Sequence, residues 1–240
     1  APPCTPPPPR PRAAAPPLAN SSAWGVLAPG EKLGPILWQL PPTLRFDAGL
    51  LDDFLALLPR DTVAARRLAR RHDARLAGRS DLGAATRRPL RHAVEVRHDS
   101  FVDPAFTALL RRHGVALVVA DTGGRWPALE DLTADFVYVR LHGPEALYAS
   151  GYTDAGLDAW ARRLRAWAGG GQVRDARRVD RHRLPKVPRD LYCYFDNDVK
   201  VHAPFDATNL AMRVGQPGAL GPDGRFSFAS SPLARPTPTR

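Results

Sequence analysis

Several things are scarce in this sequence, and each shortage narrows what the chain can be. Only two of its 240 residues are cysteine. Cys4 sits in a proline-rich stretch and Cys193 in an apolar run, so no disulfide framework follows, and Cys193 reads as a small buried hydrophobe. Neither Cys-x-x-Cys nor His-x-x-x-His spacing occurs, which removes the usual sequence support for a zinc site. No apolar run approaches the roughly 18 residues of a membrane span, and the first residues lack the apolar core of a secretory signal. These shortages predict a cytoplasmic protein in a reducing compartment, with no membrane partner. Acids are short as well: 24 Asp and Glu stand against 34 Lys and Arg, a net charge of +10. Arginine supplies nearly all of the excess. It reads first as a solvated basic face, and second as permission for a phosphate or nucleic-acid partner.

Proline, by contrast, is abundant, with 26 residues. Residues 1–17 are more than half proline, have little to bury, and are expected to be extended or disordered; a polyproline ligand for an adaptor domain is a weaker reading. Residues 216–240 are expected to form a flexible tail. Between these, residues 18–215 read as one α/β domain. The apolar fraction of 44% is enough for a core, and the length fits one α/β domain or most of a (β/α)₈ barrel of about 250 residues.

Strands are expected at residues 36–40, stopped by Pro41-Pro42, and at 92–98, 115–120, 136–142 and 191–195. Helices are expected at 47–58, with Leu50, Leu51, Phe54, Leu55 and Leu58 at helical spacing, and at 64–76, with a basic outer face of Arg66, Arg67, Arg70 and Arg71. A third runs from the Asp103-Pro104 cap to Gly114. A fourth follows Thr153, with Leu157, Trp160, Leu164 and Trp167 facing the core, and a fifth covers 204–213. The Arg/Gly-rich residues 169–189 show no period and are expected to be an external loop. Strands alternating with helices imply parallel pairing.

Two strands carry charge where a buried strand should be apolar. Side chains alternate faces along a strand, so Glu95 and Arg97 share one face and Arg140 and His142 share one face of theirs, while Val94, Val96, Val139 and Leu141 point the other way. Ionised groups are costly to bury unless paired. Their position at strand ends marks a candidate functional site; the alternative is a structural ion-pair network that plugs the interior.

Several segments, in order, resemble the domain-of-unknown-function 72 family, the YecE-like proteins. They are Lys32-Leu33-Gly34-Pro35-Ile36-Leu37-Trp38-Gln39-Leu40-Pro41-Pro42, Val94-Glu95-Val96-Arg97-His98, Tyr138-Val139-Arg140-Leu141-His142-Gly143, Tyr148 with Tyr152, and Tyr192-Cys193-Tyr194-Phe195-Asp196-Asn197-Asp198 followed by Ala203-Pro204. The resemblance implies a TIM (β/α)₈ barrel. The family's first three strand motifs have no counterpart here, so the five expected strands match its fourth to eighth. The implied chain is a barrel truncated to about its last five βα units, behind an unrelated proline-rich start. Its open sheet edges invite self-association. The family pattern also departs after Ala203-Pro204, where Phe205-Asp206-Ala207 stands in place of an asparagine-alanine pair.

A barrel places its active site at the C-terminal ends of the strands. Glu95, Asp121 and His142 are the candidate acid–base groups, and Gln39, Arg97, Arg140, Tyr148, Tyr152, Asn197 and Asp198 the candidate substrate contacts. Paired guanidinium donors suit a phosphate or carboxylate, and an imidazole moves protons near neutral pH. A divalent metal, if one binds, would use Glu95, His98, Asp121, His142 or Asp198. His98 could equally start the loop with Asp99 and Ser100, Asp121 could cap a turn, and Asn197 and Asp198 could be turn residues. Three functions follow. One is an enzyme on a small anionic or sugar-like substrate. Another is a metal-dependent phosphodiesterase using those five ligands, or a nucleic-acid-binding barrel resting on the basic helix at 64–79 and the arginines of 162–189. The third is a nonfunctional fragment.

Overall fold

Acidic caps, prolines and glycines set most of the element boundaries in the computed structural model, which describes residues 15–23, 25–73, 86–145, 147–148, 150–182, 185–198, 201–215, 218–220 and 226–228. A helix not expected from the spacing, α1, covers Ala15–Ala23. β1 covers Ile36–Gln39 and stops before the proline pair. Asp47 caps α2 (Ala48–Leu57), its side chain accepting from Leu50 N at 2.8 Å. Asp61 does the same for α3 (Thr62–Ala69), accepting from Ala64 N at 2.7 Å. α3 therefore begins earlier and ends sooner than the expected 64–76, whose last three residues lie outside the described ones. β2 (His92–Glu95) is shorter than the expected 92–98. Its extension is broken where His98 leads into a 3₁₀ turn at Asp99–Phe101. Asp103 caps α4 (Pro104–His113), with proline in the first turn, and Gly114 ends it at φ +60°, a left-handed position that a side chain would strain.

β3 (Ala116–Asp121), β4 (Phe136–Leu141), α5 (Asp154–Ala168, capped by Thr153), β5 (Asp190–Phe195) and α6 (His202–Arg213) follow. A short antiparallel pair, β6 (Gly218–Leu220) and β7 (Phe226–Phe228), falls within residues expected to be a tail. The described residues thus form an α/β fold of five parallel strands and six α-helices. The chain divides into two compact units, Ala1–Leu117 and Val118–Arg240. Among the described residues no helix is long and apolar enough to cross a membrane.

In the first unit, β1 and β2 pair in parallel with Gln39 opposite Glu95 and Ile36 opposite His92, and β2 pairs with the first two residues of β3. The pleat separates two sets of side chains. Trp38 and His92 lie on one face, where Trp38 packs edge-on against Phe54 of α2 at 5.5 Å. Gln39 and Glu95 lie on the other. His92 is 1% exposed. Its Nδ1 accepts from Trp38 Nε1 at 3.1 Å and its Nε2 donates to the Pro59 carbonyl at 2.7 Å, which fixes a neutral ring.

In the second unit, β4 lies between the remainder of β3 and β5, with Ala120, Arg140 and Tyr194 in one row and Asp121, Leu141 and Phe195 in the next. Val119, Val137, Val139 and Leu141 meet Leu157, Ala161, Leu164 and Trp167 of α5 and Leu210 of α6 in one core. Each Val and Leu among them, fully buried, contributes about 1.5–3 kcal/mol. Ala161, rather than the expected Trp160, completes the buried stripe of α5; Trp160 is partly buried beside it. Burial pushes the Cys193 thiol up to about 12, so it acts as an apolar side chain.

The described residues of 169–189 have no regular structure, but they are anchored by two buried acids. Glu130 Oε2 accepts from Arg177 N at 2.9 Å, and Asp131 accepts from Val179 N at 2.9 Å. Burial holds the Asp131 carboxyl above its usual range. Gly170, at φ +83°, passes so close to Val187 that a Cβ there would sit 2.7 Å from its carbonyl oxygen.

The His92 geometry has a pH consequence. Burial lowers its folded pKa below the ordinary 6.5. Above that value neither state is charged and His92 contributes no slope. As pH falls below it, the unfolded chain takes up a proton that the folded chain refuses, so stability is lost at up to about 1.4 kcal/mol per pH unit. Urea unfolding between pH 7 and 5 should show this slope, and His92→Gln should remove that part of it.

Candidate functional site

The pleat of β4 and β5 brings one charged group together in the second unit. Arg140 lies opposite Tyr194, so two residues further along both strands His142 lies level with Asp196, on the same face. The guanidinium of Arg140 donates from Nη2 to Asp196 Oδ2. The ring of His142 stands with Nδ1 3.4 Å from that same oxygen. Asp196 is the accessible member, its side chain 29% exposed, while Arg140 is 15% and His142 0% exposed. Tyr148 crosses His142 edge-on at 5.3 Å and donates its backbone N–H to the His142 carbonyl at 2.5 Å.

Asp196 is the residue that sequence reasoning passed over in favour of Asn197 and Asp198. Strand parity was the available signal: positions 192, 194 and 196 continue the row that faces Arg140. Asn197 is fully buried and acts as a clamp. Its Nδ2 donates to Asp206 Oδ2 at 2.8 Å and to the Ser150 carbonyl at 3.0 Å. Asp198 is exposed and closes a turn, its carbonyl accepting from Val201 N at 2.9 Å.

Asp121 does not join the Arg140 group. Its register places it in the row of Leu141 and Phe195, on the face that α5 and α6 cover. There Oδ2 accepts from the Tyr152 hydroxyl at 3.0 Å, and that hydroxyl accepts from Gly143 N at 3.3 Å. Burial, then the Asp121 charge, raises the Tyr152 phenol well above its usual range, so it remains a donor. Tyr152 is therefore a bridge between strand ends, and it is separated by the sheet from His142.

In the first unit, Glu95, Gln39 and Arg97 do converge. Arg97 donates from Nε to Glu95 Oε1 at 3.0 Å and from Nη2 to Gln39 Oε1 at 2.6 Å. The Glu95 side chain is 1% and that of Arg97 11% exposed. Glu95 and Arg97 keep one side even though β2 has ended between them. His98 serves the turn after β2: its Nδ1 accepts from Ser100 N at 3.0 Å. Among the described residues no three His, Cys, Asp or Glu side chains gather closely enough to hold a metal ion.

Comparison with known proteins gives this geometry a family. The family model described as "protein of unknown function DUF72" matches residues 12–225. The chain belongs to the DUF72 family. No curated protein matches it. It is similar in structure to a DUF72 family protein from Thermotoga maritima, at 20% identity and TM-score 0.52, over 78% of this chain and 59% of that one. A DUF72 family protein from Enterococcus faecalis is similar at 13% identity and TM-score 0.51, over 77% of this chain and 60% of that one. This DUF72 chain thus spans about three fifths of the length of these solved relatives. At these identities the likeness concerns fold alone.

The Glu95 pair can be tested directly. Breaking a buried ion pair from one side leaves a charge uncompensated, at about 3–5 kcal/mol. Glu95→Ala should lower the unfolding free energy by that order in guanidinium titration, and the double variant Glu95→Ala/Arg97→Met should recover much of the loss.

Proposed function

We propose that this DUF72 protein is an enzyme acting on a small anionic or sugar-like substrate by acid–base chemistry, at the C-terminal ends of strands belonging to a TIM-type barrel of which it carries about the last five βα units. The observation that supports this reading is Asp196, a partly exposed carboxylate held by Arg140 and His142 where β4 and β5 end. A carboxylate so placed takes or gives a proton at the reacting atom. Arg140 fixes its orientation, and its remaining N–H groups suit an anionic substrate group. His142 Nδ1 sits behind the carboxylate, and proton exchange between the two lets the pair alternate between acid and base. Tyr148, above His142, flanks the approach.

Gln39, Glu95 and Arg97 carry the same potential at the ends of β1 and β2: a buried carboxylate for base or metal-ligand duty, and a guanidinium beside it. The phosphodiesterase and nucleic-acid readings gain no support from the described residues. Arg163 and Arg178, within the stretch that suggested a polyanion partner, are committed to Glu130, Asp175, Asp131 and Asp180.

A thermal-shift screen of small carboxylates, phosphates and monosaccharides against the full chain tests the proposal. At least one class should raise the melting temperature of the wild type, and Arg140→Gln and Asp196→Asn should each abolish that shift while keeping native near-UV dichroism. The assignment is removed if every class that shifts the wild type shifts both variants equally.

A further inference from the structure

Parallel strands are usually joined by a helix laid over the sheet. β3 and β4 are not: residues 122–135 contain no helix, although Leu132 packs into the core on that side. The side of β3 turned toward α5 is therefore incompletely covered, and a cavity of about 270 Å³ opens there. That is just below the ~300–1,000 Å³ of ordinary small-molecule pockets. The residues of α5 that reach it are Gly156, Ala159, Trp160 and Arg163, one helical stripe distinct from the buried stripe of Leu157, Ala161 and Leu164. The small residues leave the room and the larger two supply the wall.

The charges around this cavity are unevenly spent. Arg163 is neutralised by Glu130 at 2.8 Å and by Asp175 at 2.7 Å. Asp121 receives the Tyr152 hydroxyl through one oxygen and keeps further acceptor capacity. Arg177 is different. Its backbone is fixed on both sides by Glu130, whose Oε2 accepts from Arg177 N at 2.9 Å and whose N–H donates to the Arg177 carbonyl at 2.7 Å. Arg177 is exposed and is among the residues that line the cavity, and among the described residues no acid pairs with it. An aromatic wall, a carboxylate acceptor and a fixed, unspent guanidinium at the mouth match a sugar ring that carries an anionic group.

We propose that this cavity is a second small-molecule site, on the opposite face of the sheet from Arg140 and Asp196, and that it binds a monosaccharide bearing a carboxylate or a phosphate. Ring C–H groups pack on Trp160, hydroxyls donate to Asp121, and the anionic group pairs with Arg177. The site does not depend on the acid–base reading above.

Calorimetric titration of the full chain with D-glucuronate, D-glucose 6-phosphate, D-glucose and inorganic phosphate tests it. At least one charged sugar should bind about ten-fold more tightly than glucose, as one charge-assisted pair allows. Glucuronate alone would identify the carboxylate, and the phosphorylated sugar alone the phosphate. Arg177→Gln, an exposed change that leaves the backbone anchors intact, should reduce the charged sugar to the affinity of glucose. Ala159→Leu, which fills the cavity, should abolish binding of both. Asp196→Asn should leave binding unchanged, which separates this site from the other. The inference is overturned if neither charged sugar binds the folded wild type, if Arg177→Gln binds as tightly, or if inorganic phosphate binds as tightly as the sugar phosphate.

Discussion

The two-residue pleat of β4 is the constraint on which the second unit depends. Val137, Val139 and Leu141 must all face α5 and α6, because that is where Leu157, Leu164, Trp167 and Leu210 exclude water. Arg140 and His142 are then forced onto the opposite face. A guanidinium and an imidazole at the end of a buried strand require a counter-charge within reach. β5, paired residue for residue with β4, has only one position level with His142, and Asp196 stands there. The apolar core and the charged group are thus two outcomes of one register. A one-residue slip of β5 would turn Leu191, Cys193 and Phe195 out of the core and Asp196 away from Arg140 together.

The same logic explains why some of this was legible in the sequence and some was not. β4 and α5 are legible because each carries a complete period, two for the strand and 3.6 for the helix. α2 announces itself through its leucine spacing and α4 through the Asp103 cap, whereas the Asp61 cap of α3 goes unread and its start is expected two residues late. The end of β2 is not legible. Val94-Glu95-Val96-Arg97 alternates without a break, and the strand stops for a reason outside its own pattern: among the described residues, its register with β3 covers only Ala93 and Val94. α1 also escaped, because Ala15-Pro16-Pro17 reads as the end of a proline tract rather than as the first turn of a helix, where proline is tolerated.

Site residues divide along the same line. Glu95 with Arg97, and Arg140 with His142, follow from alternation within a single strand. Asp121 was grouped with them because it too ends a strand, yet its side of the sheet follows from the register with β4, which one strand's sequence does not contain. Asp121 and Asp196 stand at the C-terminal ends of β3 and β5, the two strands that flank β4, and the pleat sends them to opposite faces. Asn197 illustrates a further limit. Its role depends on Asp206, a residue brought to it by the packing of α6 against β5.

The basic composition takes on a different meaning once Glu130 and Asp131 are seen beneath residues 169–189. Both acids are almost wholly buried, and both are satisfied by that segment. Because each acid is bonded to backbone N–H groups as well as to arginine, the segment is held by its main chain, and its arginines are free to differ in role. Arg163 and Arg178 balance the buried charge. Arg177 contributes its N–H and its carbonyl to the anchor and leaves its guanidinium unspent. A net charge of +10 therefore does not describe a uniform basic face. Arg163 and Arg178 drop out of that sum against the buried carboxylates they balance, and the excess lies on other arginines. Because the connection between β3 and β4 that supplies those carboxylates forms no helix, the same residues that create the demand for arginine also leave the cavity that Arg177 helps to line.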